Sequence, residues 1–329
     1  MSYLFKTNNI YILAVLVLFA YFLRGWALIG IPTEMPAYTT LLSKNLALAI
    51  YKLHPLASGF LAITLLLLQA IWFNFILKKY EIIYKHTWLP AFCYILCCSL
   101  LPSHFYLSLP LIVNFIVIWL LQLLFSIYKT DYSTVEIFNA AIVLGLGFLF
   151  QAEFVLLLLL FLIAVSILKV IHFTDFMVSL IGFLIPFYIY FGISFLYDDH
   201  VSILNELLKN FDKNMAFSSI FKNPSNYLSF GVAFFIFLLG CLKLSRNYMK
   251  NMLKIRKFQA LIIILLPVSL LMACLGYNSF DNNLLFCACP LTVFIAYYTM
   301  GNEWGWWKEL LLDIVIGFVV YNQWQTHLN

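Results

Sequence analysis

Glu34 and Glu153 are the two carboxylates of this chain best placed to do chemistry. Glu34 lies in Ile31-Pro32-Thr33-Glu34-Met35-Pro36, just after the first apolar run. The two prolines hold that segment extended and present the carboxylate at a membrane surface, as a general base or a ligand for a divalent cation. The same carboxylate can equally pair with Arg24, near the end of that run, or remain solvated. Glu153 occupies the short break Gln151-Ala152-Glu153 between two apolar runs, flanked by Phe150 and Phe154. Loss of water there favours the proton-holding form unless a cation is close; the alternative is a first-turn acid that complements the next helix's dipole. His104, with Ser103, Tyr106 and Ser108, offers polar atoms to a phosphate or a sugar. Asp281, with Asn278, Asn282 and Asn283, can hydrogen-bond a polar headgroup, though these are also ordinary turn residues. Asp198-Asp199-His200 is a weak metal-binding pattern, a single short cluster.

All these positions are breaks in an otherwise apolar chain. Of its 329 residues, 64% are hydrophobic and 10% charged, against roughly 45–50% and about 25% in a soluble domain. No soluble core hides so much apolar surface, so most of it must face lipid. The run from Ile10 to Ile31 is too long for a signal h-region and lacks a small-x-small cleavage site, and is expected to stay as a first span. The net charge of +5 lies in loops and does not signal nucleic acid. The seven cysteines fall inside apolar runs without a CxxC pair, as small packing residues. There is no GxGxxG, Walker loop, HExxH or GxSxG, which argues against ATP-driven chemistry within this chain.

The apolar runs predict an all-α, polytopic transmembrane helical bundle in a single membrane domain, 1–329. Eleven spans are expected, at about 9–31, 56–77, 88–101, 107–128, 134–150, 154–171, 174–196, 228–244, 258–276, 283–300 and 309–323. With the N-terminus cytoplasmic, thirteen Lys and Arg fall inside and six outside: Arg24, Lys44, Lys52, Lys209, Lys213 and Lys222. That bias fixes the orientation and puts the C-terminus outside. Two outer segments are long, 32–55 and 197–227, and the second contains an amphipathic stretch, Val201 to Phe211, suited either to the membrane interface or to packing on the spans. The cytoplasmic loop 243–257 carries six basic residues and no acid, as an anchor on anionic headgroups or a docking patch for a lipid phosphate or acidic partner. Gln69, Asn74, Asn114, Gln122 and Asn139 are expected to bond between helices. Trp304, Trp306 and Trp307 read as an interfacial belt.

Three stretches resemble the GT-C class of membrane glycosyltransferases, which take sugars from polyprenyl-phosphate donors. They are Leu100-Leu101-Pro102-Ser103 with the following span, Gly145 to Glu153 (GLGFLFQAE) with its paired span, and Asp281 to Pro290 (DNNLLFCACP). The layout is also similar: a first span, a sizeable outer loop, then tightly paired spans. The chain also resembles bacterial polytopic membrane families that carry no assigned chemistry. The GT-C resemblance implies a multi-pass inner-membrane protein acting at the outer face on a lipid-linked sugar. It implies Glu34 as base, directly or through a divalent cation, with Glu153 as second catalytic carboxylate. Arg24, Lys44 and His104 are then substrate contacts at the phosphate, and Asp281 lines the pocket beside Glu153. Family members usually carry an aspartate in the first outer loop; here Glu34 is the only acid there. The implied partners are membrane lipids and a polyprenyl-phosphate sugar. The competing expectations are a non-catalytic membrane subunit of an envelope assembly, bound to a protein partner, and a lipid or solute transporter. The clustering of polar candidates at one face and the lack of internal repeats count against the transporter.

Overall fold

The computed structural model describes residues 5, 11–25, 40–83, 87–128, 133–170, 172–196, 226–247, 251–276, 280–300 and 306–328. Glu34, Asp198-Asp199-His200, the 201–211 stretch, Asn278 and Trp304 lie outside them. The described residues form helices and turns and contain no strand. In chain order the α-helices are α1 Tyr11–Arg24, α2 Leu41–Tyr51, α3 Pro55–Lys79, α4 Leu89–Cys97, α5 Leu109–Ser126, α6 Ser133–Phe150, α7 Val155–Leu168, α8 Phe173–Leu196, α9 Asn226–Asn247, α10 Leu253–Leu275, α11 Phe280–Asn283, α12 Ala288–Thr299 and α13 Trp306–Leu328. Prolines in the first turns of α3, α4 and α5 start these helices where a missing N–H costs nothing.

Six helical stretches among the described residues are long and apolar enough to cross a membrane: α3, α5, α6, α8, α10 and the continuous Phe280–Thr299. This fits an α-helical, multi-pass membrane protein. α1 and the stretch Ala152–Leu168 are shorter apolar helices.

The centre is built from α4 and α12, with every residue of α4 buried. α3, α5, α9 and α10 pack around them, and α8 lies outermost, laid along α6. Only 17% of the apolar window of α8 is buried, against 83% for Phe280–Thr299, so α8 leaves most of its apolar flank outside the bundle. The α6–α8 crossing is close because its contact residues are small. A Cβ on Gly182 would meet the Ala141 Cβ and the Phe138 carbonyl at 2.9 Å, and one on Gly145 the Phe183 carbonyl at 2.5 Å.

Two elements differ from the sequence expectation. The span expected at 88–101 is a nine-residue helix followed by turns and a 3-10 turn at Pro102–His104. At ~1.5 Å per residue such a helix is far shorter than a bilayer core of about 30 Å. Residues 89–101 are all buried, and Arg24 and Asn322 donate to the Cys98 and Leu100 carbonyls, so surrounding protein satisfies and shields the irregular backbone. Within the expected loop 32–55 the chain forms α2, which begins with a capping box: the Ser43 N–H donates to Thr40 Oγ1 at 3.2 Å and the Thr40 N–H to Ser43 Oγ at 2.8 Å.

Polar side chains tie the centre together. Gln69 Nε2 donates to the Leu111 carbonyl at 2.6 Å, Tyr94 Oη to Gln69 Oε1 at 3.1 Å, and Asn114 Nδ2 to Tyr94 Oη at 2.7 Å. Trp72 Nε1 donates to Gln122 Oε1 at 2.8 Å. Asn139 instead lies on an exposed face of α6. The seven cysteines are free thiols, five of them buried.

The bundle has two chemically different ends. At one, lysines bind helix C-termini: Lys243 Nζ donates to the Tyr297 and Tyr298 carbonyls at 3.0 Å each, and Lys257 Nζ to the Leu168 carbonyl at 3.3 Å. Lys169 pairs with Asp175 at 3.0 Å across the α7–α8 turn, and Lys78 lies 4.3 Å from the Trp88 ring centroid. Two of the six basic residues of loop 243–257 therefore act inside the protein, as caps on α12 and α7. The opposite end carries the candidate site residues.

A buried polar end as candidate functional site

The polar end gathers the ends of α1, α4 and α6, the start of α2, the turns Pro102–His104 and Ala152–Phe154, α11, and the end of α13. Each arrives there because an apolar run stops at polar or turn-forming residues. Arg24 is the last residue of α1 and is completely buried. Its Nη2 donates to the Cys98 carbonyl at 2.6 Å and its Nε to Ser99 Oγ at 3.2 Å. Neither acceptor is charged, and Nη1 has no hydrogen-bond partner. The guanidinium thus fixes the turn after α4 while keeping a donor in reserve.

Three residues beyond that turn, His104 is 1% exposed. Its Nε2 lies 2.7 Å from the Asp281 carbonyl. A carbonyl only accepts, so Nε2 carries the proton and Nδ1 is the lone pair; Nδ1 is buried without a hydrogen-bond partner. Burial pushes the imidazole down from its ordinary value to about 4, opposed by the Asp281 carbonyl and assisted by the nearby Arg24 charge. The ring is therefore neutral at physiological pH and turns an acceptor, not a cation, to any ligand. That suits a hydroxyl better than the phosphate oxygen expected for it. Asp281 contributes its backbone, while its side chain is half-buried.

Two residues further along α11, Asn283 Oδ1 accepts from Gln151 Nε2 at 3.0 Å. This draws in the turn holding Glu153, which is 5% exposed. On the other side of that turn the Thr40 hydroxyl donates to the Leu149 carbonyl at 2.7 Å, filling an orphan acceptor at the end of α6. Thr40 so anchors the start of α2, where Lys44 follows in the first turn, half-buried. Asn322 Nδ2 donates to the Leu100 carbonyl at 3.2 Å and brings in α13.

The fold thus brings Arg24, Lys44, His104, Glu153 and Asp281 to one end; Glu34 lies outside the described residues. Ser99, Gln151 and Asn322 hold the site together but drew little notice in the sequence, whereas Asn283, grouped there with Asp281, accepts from Gln151. Their only signal was position, as polar residues closing apolar runs beside the candidates. Among the described residues no group of three His, Cys, Asp or Glu is placed to hold a metal ion.

Comparison with known proteins finds no matching family model, no matching curated protein and no matching solved structure. Fold and site therefore define a class: a helical protein fit for multiple membrane crossings, with a buried cationic and polar site at one end.

Proposed function

We propose that this chain is a multi-pass inner-membrane protein of glycosyltransferase type that acts at its outer face on a lipid-linked sugar phosphate. In this reading it crosses eleven times, with the N-terminus cytoplasmic and the C-terminus outside, the lysine-rich end lies in the cytoplasm, and the polar end is the outer one. The observation that carries the proposal is the Arg24 guanidinium, buried, bonded among the described residues only to neutral acceptors, with both N–H groups of Nη1 in reserve. A buried charge without a counter-charge costs several kcal/mol. An anionic oxygen offsets that cost, and a guanidinium favours phosphate.

The chemistry follows from the groups nearby. Arg24 holds the donor phosphate and stabilises the charge that grows on it as the sugar C1–O bond breaks. The electron pair of that bond leaves with the phosphate oxygen. The acceptor's hydroxyl oxygen bonds to C1, and its proton passes to a carboxylate, Glu153 or Glu34. Lys44 adds positive charge at the same end.

The test is transfer of labelled sugar from polyprenyl-phosphate donors by the purified chain in proteoliposomes. Wild type is expected to consume donor, with Arg24→Gln slower by about a hundredfold or more and Glu153→Gln slower by a similar factor. Wild-type turnover in Glu153→Gln would remove that residue from the chemistry and leave Glu34. A wild type inert toward every donor, co-purifying with an envelope protein, would favour the non-catalytic subunit.

A further inference from the structure

The polar atoms left unpaired at this end have a pattern that phosphate alone does not explain. The short helix α11 holds two side chains at once: His104 through the Asp281 carbonyl at 2.7 Å, and Gln151 through Asn283 Oδ1 at 3.0 Å. The first bond uses the single N–H of the neutral His104 ring and the second one of the two N–H of the Gln151 amide, and each leaves the acceptor. His104 Nδ1 and Gln151 Oε1 are both buried without a hydrogen-bond partner, on residues 1% and 5% exposed. The Ser103 and Ser108 hydroxyls close by in the chain are in the same condition. The inventory is one cationic donor on Arg24, two proton-free acceptors and two hydroxyls able to do either.

A bare phosphate carries only acceptors. It suits Arg24 and the serines but sets lone pair against lone pair at His104 and Gln151. A group that carries hydroxyls next to its phosphate satisfies all of them. We infer that His104 Nδ1, seconded by Gln151 Oε1, accepts hydrogen bonds from hydroxyls of a phosphate ester whose phosphate Arg24 holds. The inference rests on the phosphate reading of Arg24 and adds to it a specificity-determining pair. His104 then tells a hydroxylated ester from a plain one, because the plain ester leaves a buried acceptor desolvated and unpaired.

The experiment compares two soluble probes on the full chain in lipid nanodiscs, by calorimetric titration: dodecyl phosphate, and the same phosphate esterified to glucose. Wild type is expected to bind the glucose ester at least about tenfold tighter. In His104→Phe that preference falls to within about twofold, while affinity for dodecyl phosphate is unchanged. Gln151→Met, close to Gln in volume, lowers the preference partway and serves as the second variant should His104→Phe not fold. A preference intact in the folded variants, or a loss falling equally on both probes, overturns the inference. If wild type binds both probes alike, the hydroxyl inference fails and the phosphate reading stands. If wild type binds neither, the phosphate reading of Arg24 fails and this inference with it.

Discussion

Arg24 is both a strut and a reserve. Its Nη2 and Nε tie α1 to the end of α4 through Cys98 and Ser99, and Nη1 is left over. Arg24→Met keeps most of the volume, removes the desolvated charge and loses two hydrogen bonds. These effects oppose one another, so the melting temperature in detergent is expected to stay within a few degrees of wild type while phosphate-ester binding is lost. A purely structural arginine would instead show the melting temperature collapse. His104 gives a pH signature. Its folded value of about 4 lies below the ordinary 6.5, so between the two the unfolded chain binds more protons and stability rises with pH. The contribution is complete above 6.5 and is lost as pH falls toward about 4. The Arg24 charge acts on the ring, and Glu153 and Asp281 lie at the same end, so the informative quantity is the difference from His104→Gln. The melting temperature of wild type should fall more steeply than that of the variant over this window. At this scale the sequence shows Arg24 and His104 as polar residues near the ends of apolar runs. It was silent on which of their atoms are used, since Cys98 and Asp281 act through backbone carbonyls that no side-chain pattern encodes.

The helices themselves were legible wherever an apolar run was long. α3, α5, α6, α8 and α9 begin and end within a few residues of expectation, and α10 starts five residues before it. α4 was harder because it is apolar on every side, and such a run has no periodicity to reveal its length. Its early end at Cys97 comes before Pro102, the breaker visible in the sequence. α2 carried a readable Thr40-x-x-Ser43 start, overshadowed by the prolines before it. Helix packing supplies two predictions. Gly182→Leu places a branched side chain where even a Cβ meets Ala141 and Phe138 at 2.9 Å, and overpacking of this kind costs typically about 1–3 kcal/mol. Since α8 is held chiefly by α6, it should become accessible to membrane-phase thiol or photolabels, with a lower melting temperature for the whole chain. Lys243→Met removes two hydrogen bonds to the end of α12, each on the order of 1.5–3 kcal/mol when the donor is charged. It should destabilise the chain measurably, whereas neutralising a lysine that only touches headgroups should not.

At the scale of the whole molecule, the charge bias read from loops has a physical counterpart. The lysines counted as cytoplasmic include Lys78, Lys169, Lys243 and Lys257, which all act at the same end of the bundle, while Arg24, His104, Glu153 and Asp281 meet at the other. The proposed orientation predicts that alkaline phosphatase fused after residue 328 is active in a bacterial host, and that the same fusion at Lys129 is inactive. Reversed activities would invert the assignment and place the polar end in the cytoplasm. What the polar end holds is visible in a cryo-electron microscopy map of the full chain with a polyprenyl-phosphate sugar in nanodiscs. Phosphate density is expected within about 3 Å of Arg24 Nη1, at hydrogen-bond distance, with the sugar toward His104. Phosphate density at the opposite end, among Lys243, Lys254 and Lys257, would contradict it.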